Sequence, residues 1–120
     1  MNFLWVALGG AIGAVLRYAI SLIPLKTSFP VLTLITNIIG AIAIGFIAGV
    51  TLKRKDVSQN LVLFTKTGIC GGFTTFSTFS LEAFQMFEKQ QYLPGGIYVM
   101  LSVICCIVGI WCGEKLAGIL

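Results

Sequence analysis

Histidine is absent from this chain of 120 residues, and acidic side chains number only four against eight basic ones. Without histidine there is no histidine-ligated haem, none of the common zinc sites and no usual general base. No nucleophile–base pair stands out either, so an enzyme is not expected. Charge of both signs is scarce: 10% of the residues are charged, where a soluble domain carries about a quarter. With 58% hydrophobic residues and a mean hydropathy of +1.01, the class that fits is an all-α integral membrane protein. Cysteine is limited to Cys70, Cys105, Cys106 and Cys112. No C-x-x-C pair occurs and each lies in an apolar run, so they read as small packed side chains rather than disulfides or ligands. No basic segment precedes the first apolar run, which is long enough to span, so it reads as a membrane helix and not a cleaved leader. The net charge of +4 does not point to nucleic acid, because the basic residues are dispersed. Their one cluster, Lys53-Arg54-Lys55, falls where a helix should leave the bilayer and suits lipid headgroups.

What is present organises as four apolar segments in a single transmembrane domain, 1–120. A span needs roughly 20 apolar residues, and candidates run over about 2–23, 31–52, 57–88 and 95–117. The first holds one charge, Arg17, read either as snorkelling to the headgroups or as a positive group at the mouth of an anion path. Its Gly9 and Gly13 form a G-x-x-x-G face. The second has no charge until its end. Its strongly polar side chain is Asn37, with Thr33 and Thr36 nearby, and Ala41, Gly45 and Gly49 give another small-residue stripe. Asn37 either bonds between helices or offers its amide to a passing anion. The fourth carries Gly109 and Gly113, plus Tyr98 and Ser102 at i, i+4. That pair is either a hydroxyl stripe on a pore wall or an interfacial tyrosine beside a helix-satisfied serine.

The third segment is too long for one straight span and too polar in the middle. Gly71-Gly72-Phe73-Thr74-Thr75-Phe76-Ser77-Thr78-Phe79-Ser80-Leu81-Glu82 sets glycines, hydroxyls, phenylalanines and a glutamate inside an oily protein. Unpaired backbone there costs several kcal/mol per group, on the order of the desolvation penalty, so such a stretch must be buried or line a path. The expected form is two half-helices meeting near 71–75. The first would offer carbonyls to a cation, and the second N–H groups to an anion. Beyond the break, Phe76 and Phe79 share one face and Ser77 and Ser80 another, while Thr75, Thr78 and Glu82 align. Aromatic ring edges are positive and can solvate a small anion without trapping it.

Four spans place both termini on one side. That side collects Lys53, Arg54, Lys55, Lys66 and Lys115 against Arg17, Lys26 and Lys89, a weak bias under the positive-inside rule. Small-residue faces and too few helices to enclose a path suggest a homodimer, with an antiparallel arrangement open.

The run Gly68-Ile69-Cys70-Gly71-Gly72-Phe73-Thr74-Thr75-Phe76-Ser77-Thr78-Phe79-Ser80 with Glu82 closely resembles the signature of the Fluc (CrcB) fluoride ion channels. Gly9-Gly10-Ala11-Ile12-Gly13-Ala14 with Arg17-Tyr18, and Thr33, Asn37 and Gly40, resemble that family's first- and second-helix motifs. The resemblance spans the chain. It implies an antiparallel, dual-topology homodimer in the cell (inner) membrane with two fluoride pores. It also implies pore roles for Phe76, Phe79 and Asn37, a polar track of Ser77, Thr78 and Ser80, a motif glutamate at Glu82 and a vestibule arginine at Arg17. Tyr98 and Ser102 match pore-wall positions more loosely. Gly71 and Thr74 match residues whose backbone carbonyls hold a structural Na+ on the two-fold axis. The implied function is passive export of fluoride, protecting the cell. Rival readings are a small four-helix multidrug or cation exporter, which would need a carboxylate in the first helix, and a structural membrane subunit, which would not need the hydroxyl and phenylalanine rows.

Overall fold

The computed structural model describes residues 2–119. Helix α1 covers Asn2–Ser21 and α2 covers Val31–Lys53; α3 occupies 59–73, α4 Phe76–Glu88 and α5 Tyr92–Ile119. Helices α1, α2 and α5 are each long and apolar enough to cross a membrane. The first helix is two residues shorter than expected. The last begins earlier, at Tyr92, because Pro94 lies within its first turn, where a missing N–H costs nothing. The third segment starts at Gln59 and not at 57.

The helices pair as α2 with α5 and α1 with α3, while α1 and α2 barely meet. Glycine makes both pairings possible. A Cβ on Gly13 would fall 2.7 Å from the Phe73 nitrogen, and one on Gly9 would fall 2.9 Å from the Gly68 Cα. Across the other pair, a Cβ on Gly113 would lie 2.6 Å from the Phe46 nitrogen and one on Gly45 would lie 2.8 Å from the Ile110 Cα. Lipid tails are as apolar as leucine, so close backbone approach is what holds such helices together. The small-residue stripes expected to serve partly between chains are therefore spent within one chain.

Helix α3 is not uniform. Its stretch Leu63–Cys70 winds as a wide π-helix. The Thr65 hydroxyl donates to the Leu61 carbonyl at 2.7 Å, a local competition of the kind that distorts helices. The break lies at the far end of the expected span 71–75. Gly71 and Gly72 stay helical within Gly71–Phe73, and Gly72 is there for packing, since a Cβ would reach 2.5 Å from the Gly10 carbonyl oxygen. The chain extends at the β-branched pair instead, Thr74 at φ −84°, ψ 156° and Thr75 at φ −148°, ψ 124°. Thr75 then caps α4, its hydroxyl accepting from the Thr78 N–H at 3.1 Å.

Helix α4 ends in a left-handed turn. Gln91 N–H donates to the Met86 carbonyl at 2.9 Å and Gln90 N–H to that of Phe87 at 3.0 Å, the paired bonds of a Schellman ending. Its left-handed position is held by Gln90, φ 61°, where glycine is usual. Gln90→Gly should therefore stabilise the fold by about 1 kcal/mol. Gly113→Val should cost about 1–3 kcal/mol or more by overpacking, and Gly96→Ala, facing open space, should cost nothing. Thermal unfolding in detergent reads all three.

Candidate functional site

Asn37 ties α2 to the break by both ends of its amide. Its Nδ2 donates to the Thr75 carbonyl at 3.0 Å, and its Oδ1 accepts from the Thr75 N–H at 2.8 Å. This settles the first of its two readings, a bond between helices, while one N–H of its NH2 group remains uncommitted by these contacts. Arg17 is half-buried and turned back onto the break. Its Nε donates to the Gly72 carbonyl at 3.1 Å, and its side chain heads a small cavity of about 100 Å³ that also meets Thr33, Thr75 and Thr78. The carboxy end of α3 is thus partly neutralised by a guanidinium, as the carbonyl end of a helix dipole favours. The Gly71 and Thr74 carbonyls lie at the same end and receive no backbone N–H from the next turn, since Thr75 N–H is given to Asn37 and Thr78 N–H to the Thr75 hydroxyl.

Beyond the break, α4 carries Glu82 into the bundle. Two hydroxyls hold its carboxylate: Tyr98 Oη donates to Oε1 at 3.0 Å and Thr33 Oγ1 to Oε2 at 3.1 Å. Tyr98 comes from α5 and is wholly buried at 0% exposure, so the interfacial reading of that tyrosine is overturned. Its ring contacts Phe79 at 5.1 Å between centroids and Phe29 edge-on at 5.5 Å. Among the described residues Ser102 Oγ is the one buried side-chain polar atom without a hydrogen-bond partner. The helix-satisfied reading of Ser102 is overturned as well, and an orphaned buried hydroxyl calls for an explanation.

Ser102, Asn37, Phe76 and Phe79 border a common cavity of about 260 Å³. Phe79 closes it from inside the chain and is buried, whereas Phe76, 5.6 Å away between centroids, is 79% exposed. Ser77 and Ser80 are also exposed. A third cavity of about 360 Å³ reaches Glu82 from the far end of α4, where Gln85, Lys89 and Gln91 surround it. The chain therefore brings together Asn37, Phe79, Thr78, Glu82, Tyr98, Ser102 and Arg17, sets Phe76 at the open rim of the cavity, and leaves Ser77 and Ser80 facing outward. Sequence reasoning did not single out Lys89, Gln85 and Gln91 as cavity residues. Their signal was only a polar helix end. It did note Thr33, but not as a donor to Glu82.

Among the described residues no cluster of histidine, cysteine and carboxylate side chains could hold a metal ion. A carboxylate, hydroxyls and an amide set between apolar helices around a broken helix define a multi-pass membrane protein with polar groups embedded in its bundle. A family model described as "CrcB-like protein, Camphor Resistance (CrcB)" matches residues 4–114. The chain belongs to that family. It is 43% identical to the fluoride-specific ion channel FluC of Flavobacterium psychrophilum, over 94% of each chain. It is 46% identical to that of a Methylobacterium species, over 92% of this chain and 90% of the relative. It is 44% identical to that of Clostridium perfringens, over 96% and 92%.

Replacing Asn37 tests the tie at the break. Asn37→Ala leaves the Thr75 N–H and carbonyl unpaired and should cost about 1–3 kcal/mol for each group left unsatisfied. Asn37→Asp keeps the acceptor but sets a carboxylate oxygen against the Thr75 carbonyl, and should be no better. Thermal unfolding measures the loss, and faster exchange of the Thr75 amide would localise it.

Proposed function

We propose that the protein is a passive, fluoride-selective channel that lets fluoride leave the cell across the inner membrane. The observation that carries this is the cavity where an orphaned Ser102 hydroxyl, the Asn37 amide and the Phe79 ring converge at membrane depth. Fluoride is small and strongly hydrated, so a selective path must replace its water with hydroxyl and amide donors and positive ring edges. No lysine or arginine borders this cavity, which suits conduction, since an ion must also leave. The path continues past Phe79 to Tyr98 and Glu82 and opens beside Lys89; Arg17 stands over the other approach. Neither a nucleotide-binding motif nor a carboxylate in α1 is present to couple transport to an energy source. Fluoride entering as its neutral acid ionises inside, and a negative-inside potential drives the anion out.

In this reading α3 and α4 together make a fourth crossing, and two chains assemble antiparallel. Phe76, Ser77 and Ser80, which one chain leaves exposed, complete the path against the partner. The Gly71 and Thr74 carbonyls suit a Na+ on the two-fold axis. They are unspent by N–H donors, and Gly71 is exposed on the chain's surface, so a partner's pair can approach. Sodium there would balance the carbonyl dipoles of two helix ends.

Purified protein in liposomes should release fluoride rapidly and retain chloride, as followed with ion-selective electrodes. Phe79→Ile should abolish fluoride release without unfolding the protein. Chloride loss at a comparable rate, or full fluoride release from Phe79→Ile, would overturn the assignment of the aromatic row. Exchanging sodium for a bulky organic cation should convert dimer to monomer in detergent, measured by light scattering.

A further inference from the structure

The carboxy end of α2 bears a cationic run that the fluoride path does not use. Phe46 and Val50, one turn apart on α2, form a ridge bordered by two cavities. One, about 210 Å³, lies toward Ala117 of α5 and is capped by Lys53 and Arg54. The other, about 170 Å³, runs toward Val57 and then Leu61 and Val62 of α3. The second is apolar even where threonine lines it. Thr51 Oγ1 is spent on the Ile47 carbonyl at 2.7 Å and Thr65 Oγ1 on that of Leu61 at 2.7 Å, so neither hydroxyl is left to donate into the groove.

Among the described residues no carboxylate pairs with the charges above the ridge. Lys53 Nζ donates to the Gly118 carbonyl at 3.3 Å, at the end of α5. The Arg54 guanidinium has no ion pair or hydrogen bond among the described residues. Asp56 and Glu114 are the acidic groups at this end, against Lys53, Arg54, Lys55 and Lys115. Neither carboxylate forms an ion pair among the described residues, and Lys115 sits over the Trp111 ring at 5.6 Å.

We propose that this end of α2 binds one anionic phospholipid, its phosphate on Arg54 and Lys53 and its acyl chains astride the Phe46–Val50 ridge. A guanidinium fork matches phosphate oxygens in pairs. The helix end puts that fork at headgroup level while the ridge lies a turn or two deeper in hydrocarbon. Cavities of about 210 and 170 Å³ take a stretch of acyl chain rather than a packed helix about 10 Å across. A zwitterionic lipid carries the same phosphate with a cationic amine, so the unpaired positive charges select the anionic headgroup.

The test uses the full-length protein in detergent, titrated with phosphatidylglycerol, with phosphatidylcholine of the same chains, or with glycerol 3-phosphate. Native mass spectrometry counts retained lipid, and the thermal midpoint reads its binding. Phosphatidylglycerol should be retained and raise the midpoint, and glycerol 3-phosphate should do neither. Arg54→Gln should weaken phosphatidylglycerol about fivefold, the worth of one cation near a membrane surface. Lys55→Gln, outside both cavities, should leave it unchanged. Equal retention of the two lipids, or no effect of Arg54→Gln, would overturn the site. Binding of glycerol 3-phosphate as tight as that of the lipid would assign a phosphate site and remove the acyl chains from it. None of these readings depends on fluoride transport.

Discussion

Backbone groups in hydrocarbon have no water to turn to, and the extended pair Thr74–Thr75 sits where that constraint bites hardest. The two bonds from Asn37 answer it. They give Thr75 the partners that a continuous helix would have supplied, as buried amides require. For the bonds to form, α2 must hold Asn37 level with the break. One turn along α2 from Asn37, Gly40 lies so close to Thr74 that a Cβ there would strike its side chain. The position of α2 is fixed in turn by its glycine contacts with α5, and that of α3 by α1. The stripes of small residues are thus part of the site, because they set the height at which an amide meets an interrupted helix.

The same geometry governs the electrostatics. A carboxylate inside a bundle is expensive unless it is hydrogen-bonded. Glu82 has a hydroxyl on each oxygen, one from α2 and one from α5, so it links the two helices that pack most extensively. Arg17 is anchored on a carbonyl rather than on that carboxylate. The positive and negative groups of the interior therefore stay apart, and the space between them is furnished with neutral donors. Neutral donors bind an anion modestly, which is what passage through several successive sites requires.

Much of this was legible in the residues, and the reasons are local. Apolar runs of spanning length, the interruption near Thr74, the alignment of Phe76 with Phe79 and the crowding of hydroxyls all follow from periodicity and composition. The break falls inside the expected span 71–75, at its threonine end. Gly71 and Gly72 stay helical and instead let α1 come near, while β-branched threonine leaves the helix. The π-helix at Leu63–Cys70 leaves no signature that hydrophobic period alone would reveal. Tyr98 and Ser102 were ambiguous because one i, i+4 pair fits both a buried and an interfacial face, and it takes the contact of Tyr98 with Glu82 and the burial of an unbonded Ser102 to decide. Partnership between distant residues, such as Thr33 with Glu82, is a property of tertiary packing and cannot be counted along the chain.

The pairing of α1 with α3 and of α2 with α5 is interleaved. Neither of the first two helices finds its main partner in its neighbour along the chain. As the chain leaves the ribosome, α1 must wait in the bilayer for α3, and α2 must wait until the last helix has been made. During that wait the glycine faces of α2 lie against lipid, and Asn37 has nothing to hold until Thr75 arrives. Assembly is therefore completed only with the end of the chain: one cut short before α5 keeps Asn37 and Glu82 but loses Tyr98, Ser102 and the helix against which α2 is seated.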